Sequence, residues 1–262
     1  MTAHAERKPP AGQLRAGSIG LLGVLFFVIA TVAPMSGTIG ALPVTFGLGT
    51  GGGTPGAFIL VAIVLALFAV GYTAMSRHMA TAGGFYVYIG EGLGLRAARA
   101  AGYLALFSYN IFQVAIWGTF GFFFNVFTAE WFGWDVSWVL FVLAGIVLVG
   151  VLGYFEISVS AKILGVAVVL EVLAILVMAF AITFQGGVSG LTLEPFDPGV
   201  VTRDNLGIGL MFCFLLFIGF EATAIYGEEA RDPRRTIPRA AMIAVAIIAA
   251  FYVFVSWALT MA

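Results

Sequence analysis

Charge-free apolar stretches about 20 residues long recur along this chain and restrict its fold more than any other feature. A hydrocarbon core roughly 30 Å thick takes about 20 residues of helix to cross. Seven such stretches are present, at 18–46, 56–76, 102–127, 137–155, 161–184, 206–227 and 240–262. Over 262 residues, 61% are hydrophobic and 10% charged, more apolar side chain than the core of a soluble domain buries. The expectation is an all-α polytopic membrane protein whose main partner is the lipid bilayer.

Residues 1–17 are polar, with Pro9, Pro10 and three cations, and read as a disordered tail. Between the second and third spans, RHMATAGGFYVYIGEGLGLRAARA is too charged and glycine-punctuated for lipid, and suits an interfacial helix or a re-entrant turn. With the N-terminus on the cytoplasmic side, the inner segments hold Arg7, Lys8, Arg15, Arg77, Arg96, Arg99, Lys162, Arg231, Arg234, Arg235 and Arg239. The outer segments then keep Arg203 alone of the 12 cations, beside Glu130, Asp135, Glu194, Asp197 and Asp204. The positive-inside rule therefore sets a multi-pass chain in the cytoplasmic membrane with its N-terminus inside. That orientation, and a seventh span without lysine, argue against rhodopsins and G-protein-coupled receptors. The near-neutral net charge of −1 implies no nucleic-acid partner, and the single Cys213 offers neither disulfide nor metal cluster.

Two spans are not plain helices. The first, SIGLLGVLFFVIATVAPMSGTIGALPVTF, would run about 43 Å as one helix. Pro34 removes a backbone donor near its centre, Gly37 and Gly40 tolerate other angles, and Ser36 and Thr38 can bond freed backbone groups. A proline kink and a true break both fit. The sixth span, LMFCFLLFIGFEATAIYG, sets Gly219 two residues before Glu221 at membrane depth. An acid at a helix centre costs about 2.5–3.5 kcal/mol on insertion scales, so it faces a cavity or a partner. Discontinuous helices at corresponding positions of two repeats mark a secondary transporter's binding site. Spans one and six correspond if five helices form a repeat and the second copy is inverted.

Six segments in order, VAPMSGTIGALP, AGGFYVYIGEGLG, YNIFQ, SAKILG, FIGFEAT and EEARDPRRTIPRA, resemble the amino acid–polyamine–organocation superfamily, specifically its bacterial amino acid permeases. The resemblance implies a LeuT-like inverted-repeat fold. The first five-helix repeat would occupy 18–184, an extracellular loop 185–205, and the start of the second repeat 206–262. Two such repeats need ten helices, so the expected fold is a truncated one, a fragment or a truncated product, and transport by the chain alone is doubtful.

The same resemblance implies substrate binding at the helix breaks, carried over as Ala33, Pro34, Met35, Ser36, Gly37 and Thr38, and as Phe217, Ile218, Gly219, Phe220, Glu221 and Ala222. Half-helix N-termini suit a carboxylate and open carbonyls an ammonium. Tyr109, Asn110 and Gln113 of the third span, and Tyr226, are candidate side-chain contacts. Glu221 is a candidate for proton coupling. In the fifth span some proton-coupled relatives carry a lysine where this chain has Glu171, which could bind sodium, carry a proton or pair with another helix. Glu228, Glu229, Arg231, Asp232, Arg235 and Arg239 form a candidate gating loop before the seventh span, with Thr236 and Pro238 read as the helix start.

The expected function is secondary active transport of an amino acid or related amine, with proton or sodium as possible coupling ion and no cofactor. The alternative is a non-transporting or channel-like membrane protein. An enzyme is disfavoured: His4 and His78 are the two histidines, HExxH is absent, and GTGGGTPG lacks the Lys-Ser/Thr of a phosphate loop.

Overall fold

The structure, a computed structural model, describes residues 17, 19–79, 83–134, 136–154, 157–188 and 190–262, without the side chains of 157–163. The expected tail, apart from Gly17, and the Lys162 side chain lie outside the described residues. Nine helices organise the rest: α1 (Leu21–Val32), α2 (Leu42–Leu48), α3 (Thr54–Ser76), α4 (Gly84–Leu93), α5 (Leu95–Phe132), α6 (Trp138–Tyr154), α7 (Ile157–Gln185), α8 (Leu206–Leu215) and α9 (Pro233–Thr260). Short turns of helix link several of them, and no β-strand is formed among the described residues.

Among the described residues, six helical segments are long and apolar enough to cross a membrane: Leu21–Leu48, Gly51–Ser76, Leu95–Phe132, Leu164–Gln185, Leu206–Gly227 and Pro233–Thr260. The expected fourth span, 137–155, is shorter than the rest. It forms α6, whose 17 residues extend about 25 Å. The segment after the second span is the helix α4, packed along α5.

The core is built by α1, α3, α8 and α9, with α9 packed along α3 and α1 against α9. Phe58 of α3 and Tyr252 of α9 are fully buried, their rings nearly parallel with centroids 5.3 Å apart. Phe217 tilts against Phe58 at 6.4 Å. By contrast, α5 and α6 turn most of their large apolar residues outward, among them Leu104, Val114, Leu140 and Val147. Outward faces so rich in large apolar side chains suit a hydrocarbon environment rather than a water-facing surface.

The sequence-based start of the last helix needs correction. Helix α9 begins at Pro233 after Asp232, seven residues ahead of the expected span, and Pro238 lies inside it. The physical reason is positional: a proline at the first helical residue loses no intrahelical hydrogen bond, whereas Pro238 forgoes one and is tolerated within a long, buried helix.

Candidate functional site

The first span is broken, not merely kinked. Helix α1 ends where Ala33 adopts a left-handed conformation (φ 49°, ψ 69°), the one non-glycine residue with positive φ among those described. Pro34–Ser36 then makes a single turn and Gly37–Ala41 a π-helical turn before α2. Proline explains the placement, because the residue before it is pushed out of the right-handed helical region. Thr38 Oγ donates to the Pro34 carbonyl at 2.8 Å, the local repair expected of a hydroxyl beside a break.

The sixth span is broken as well. Helix α8 stops at Leu215, Gly219 reaches φ 119°, and a 3₁₀ stretch runs from Phe220 to Gly227. The two breaks touch. A Cβ at Gly219 would lie 3.0 Å from the Val32 nitrogen and 3.2 Å from the Thr31 carbonyl carbon. At the other end of the first break, a Cβ at Gly37 would fall against Leu216 Cδ2 and the Tyr252 hydroxyl.

Glu221 is half-buried where the breaks meet. Its Oε1 accepts from Tyr109 Oη at 2.6 Å, and its Oε2 from the Gly219 N–H at 2.8 Å. Its backbone carbonyl accepts from Tyr72 Oη, also at 2.8 Å. Glu171 of α7 lies half-buried near the Met35 backbone, where the Pro34–Ser36 turn of the first break packs on α7. Each break is therefore met by one acid of the chain itself, Glu221 at Gly219 and Glu171 at Met35. Both acids sit where a helix break leaves amide hydrogens without carbonyl partners.

Next to Glu221 lies a cleft of about 280 Å³, lined by Leu65, Phe68, Phe85, Phe214, Phe217, Ile218 and Phe220 together with the acid. Glu221 is the single polar residue of its lining. Such a surface accepts a hydrocarbon or aromatic side chain and offers one charge to a cation.

Not every expected residue joins the site. Pro34, Thr38, Phe217, Phe220 and Ala222 are buried in the packing around the breaks, while Ser36 is exposed. Asn110 donates to the Leu106 carbonyl of its own helix at 2.7 Å, and Gln113 is exposed. Tyr226 stacks on Phe27 with centroids 5.1 Å apart. Two residues absent from the expected set do belong: Tyr72, through its bond to Glu221, and Tyr252, fully buried with no hydrogen-bond partner for its hydroxyl among the described residues. Their only sequence signal is a phenol within an otherwise apolar run, which the preference of tyrosine for interfaces conceals.

Backbone hydrogen bonds tie the loop before α9 to the residues ahead of α1. Ile19 N–H donates to the Glu229 carbonyl at 3.0 Å and the Arg231 N–H to the Ile19 carbonyl at 2.9 Å, forming a parallel bridge. Of the expected ion-pair network, Arg235 Nε lies 3.7 Å from Asp232 Oδ2, with both side chains largely exposed.

Comparison with known proteins bears on the family of the chain. The family model described as amino acid permease matches residues 23–262. The L-methionine/branched-chain amino acid exporter YjeH of Escherichia coli is 28% identical over 215 residues, covering 81% of this chain and 49% of that protein. The branched-chain amino acid permease BcaP of Lactococcus lactis is 30% identical over 224 residues, covering 76% and 47%. An uncharacterized transporter of Mycobacterium tuberculosis is 29% identical over 239 residues, covering 90% and 51%. The chain spans about half the length of these relatives.

Proposed function

Because the chain belongs to the amino acid permease family, we propose that it carries the substrate site of a secondary active transporter of amino acids or related amines. In this reading residues 18–184 form one five-helix repeat, 206–262 open an inverted second one, and the N-terminus faces the cytoplasm. The observation that carries it is the apposition of the two helix breaks with the Glu221 carboxylate held between them.

The substrate's ammonium pairs with Glu221 and nearby open carbonyls. Its α-carboxylate takes the N–H groups of the turn after Ala33, where a half-helix begins and favours negative charge. To do so it replaces Glu171 beside the Met35 backbone, and the released Glu171 becomes free to take a proton or a sodium ion. The phenylalanine-lined cleft receives the side chain, which favours apolar substrates such as the methionine and branched-chain amino acids named for two relatives.

The test is radiolabelled leucine binding to the purified chain, followed by counterflow into proteoliposomes. Saturable binding competed by methionine, and lost in Glu221→Gln, is the expected result. Linear, non-saturable flux would support a channel instead. Glu221 and Glu171 are proposed to change protonation during the cycle. A Glu221→Gln protein that retains the wild-type pH profile of uptake removes Glu221 from that role.

A further inference from the structure

A second site lies away from the helix breaks. Arg77 follows Ser76 at the C-terminal end of α3, and Arg234, Arg235 and Arg239 lie in the first two turns of α9. The four guanidinium-bearing side chains, with Pro238, line one cavity of about 270 Å³. The only carboxylate within ion-pair distance of them among the described residues is Asp232, at 3.7 Å from Arg235 and largely exposed.

This arrangement calls for an anion on three grounds. Four like charges around one cavity repel each other, and a single exposed carboxylate offsets little of that. Arg234 and Arg235 occupy the first turn of a 28-residue helix, the end at which the peptide dipoles disfavour cations. Surface cations that only obey the positive-inside rule have no need to converge from two helices. Arginine, moreover, presents a planar fork of donors that fits the oxygens of a phosphate, usually in bidentate pairs.

Depth narrows the ligand. Arg77 sits where the apolar run of α3 ends, and Arg239 immediately precedes AAMIAVAIIAA, where the apolar run of α9 starts. The cavity therefore lies at the boundary of the hydrocarbon layer, the level of phospholipid headgroups. Clustered basic residues beside membrane helices attract anionic lipids.

We propose that the Arg77–Arg234–Arg235–Arg239 cavity binds a phosphate-bearing anion, either the headgroup of an anionic phospholipid or free inorganic phosphate. This goes beyond the transport reading and does not depend on it.

The full chain would be placed in nanodiscs of phosphatidylcholine alone and of phosphatidylcholine with phosphatidylglycerol at 4:1. Thermal unfolding is then followed with a thiol-reactive fluorogenic dye on Cys213, the single and fully buried cysteine. Inorganic phosphate is titrated into the phosphatidylcholine discs, with chloride at matched ionic strength as control. A rise of several degrees with phosphatidylglycerol assigns a lipid headgroup, and a rise with phosphate over chloride assigns the free anion.

The rise should vanish in Arg77→Gln/Arg234→Gln and persist in Arg96→Gln/Arg99→Gln, which removes equal charge from α5. Should the glutamine variant not fold, Arg77→Lys/Arg234→Lys keeps the charge and loses the fork, so its response should shrink. No rise with either anion, equal loss in the α5 control, or an undiminished response in the lysine variant overturns the proposal.

Discussion

Replacing Gly219 by alanine tests the geometry of the two breaks directly. At φ 119° and ψ −23° the backbone lies in a region that L side chains rarely adopt, which costs about 1–3 kcal/mol. The new Cβ would also sit 3.0 Å from the Val32 nitrogen, 3.1 Å from Val32 Cγ2 and 3.2 Å from the Thr31 carbonyl carbon. Two of those three neighbours are backbone atoms and cannot rotate away, so overpacking adds roughly 1–3 kcal/mol more. The sum, about 2–6 kcal/mol, is a large fraction of the stability of an ordinary domain. The control is Gly71→Ala on the exposed side of α3, where a Cβ meets nothing within 4 Å. There alanine should match the wild type or improve on it by up to about 1 kcal/mol through helix propensity. Cys213 lies in α8 at 0% exposure, so its reaction with a fluorogenic thiol dye reports loss of the core. Gly219→Ala should expose it at a clearly lower temperature than the wild type. If Gly219→Ala and Gly71→Ala melt together, the close contact between the breaks is refuted.

Two buried tyrosines should respond oppositely to loss of their hydroxyls in the same unfolding assay. Tyr72→Phe removes a 2.8 Å bond to the Glu221 carbonyl and should destabilise by about 1 kcal/mol. Tyr252→Phe removes a buried hydroxyl without a partner among the described residues, and should be neutral or stabilising by about 1 kcal/mol. Gly37→Ala drives a Cβ into that hydroxyl and into Leu216, so it should cost about 1–3 kcal/mol, part of it recovered in Gly37→Ala/Tyr252→Phe. Strict additivity of that pair would contradict the contact. Phe58→Ala opens a cavity beside Tyr252 and Phe217 and should lower stability by roughly 3–5 kcal/mol; an unfolding temperature equal to wild type would contradict their shared core.

The positions of both breaks were legible in the sequence because a proline and a glycine beside an acid are local signals. Pro34 displaces the residue before it, and Gly219 accepts an angle other residues resist, wherever the rest of the chain lies. The charge-poor runs likewise announced membrane-spanning helices, since length and hydropathy need no tertiary contact. What remained hidden depends on which helix faces which. Asn110 and Gln113 have the right chemistry for a polar site, yet Asn110 bonds to its own helix and Gln113 faces outward. Tyr72 enters through a bond to a residue 149 positions away, a pairing no local pattern encodes. The start of α9 was misread because two prolines, Pro233 and Pro238, carry the same signal, and only the backbone bonds to Asp232 separate them.

The bridge between Ile19 and the Glu229–Arg231 backbone has a consequence for how the molecule is made. Its two sides are separated by roughly 200 residues of chain, so a ribosome threading the protein into a bilayer completes six spans before the partner of Ile19 exists. During that interval the leading segment has no seat. The bridge closes only after the sixth span has been delivered, which makes it a late fastening in biogenesis. A chain arrested before Glu229 would therefore leave the segment around Ile19 open to protease, and one arrested well beyond Arg231 would protect it.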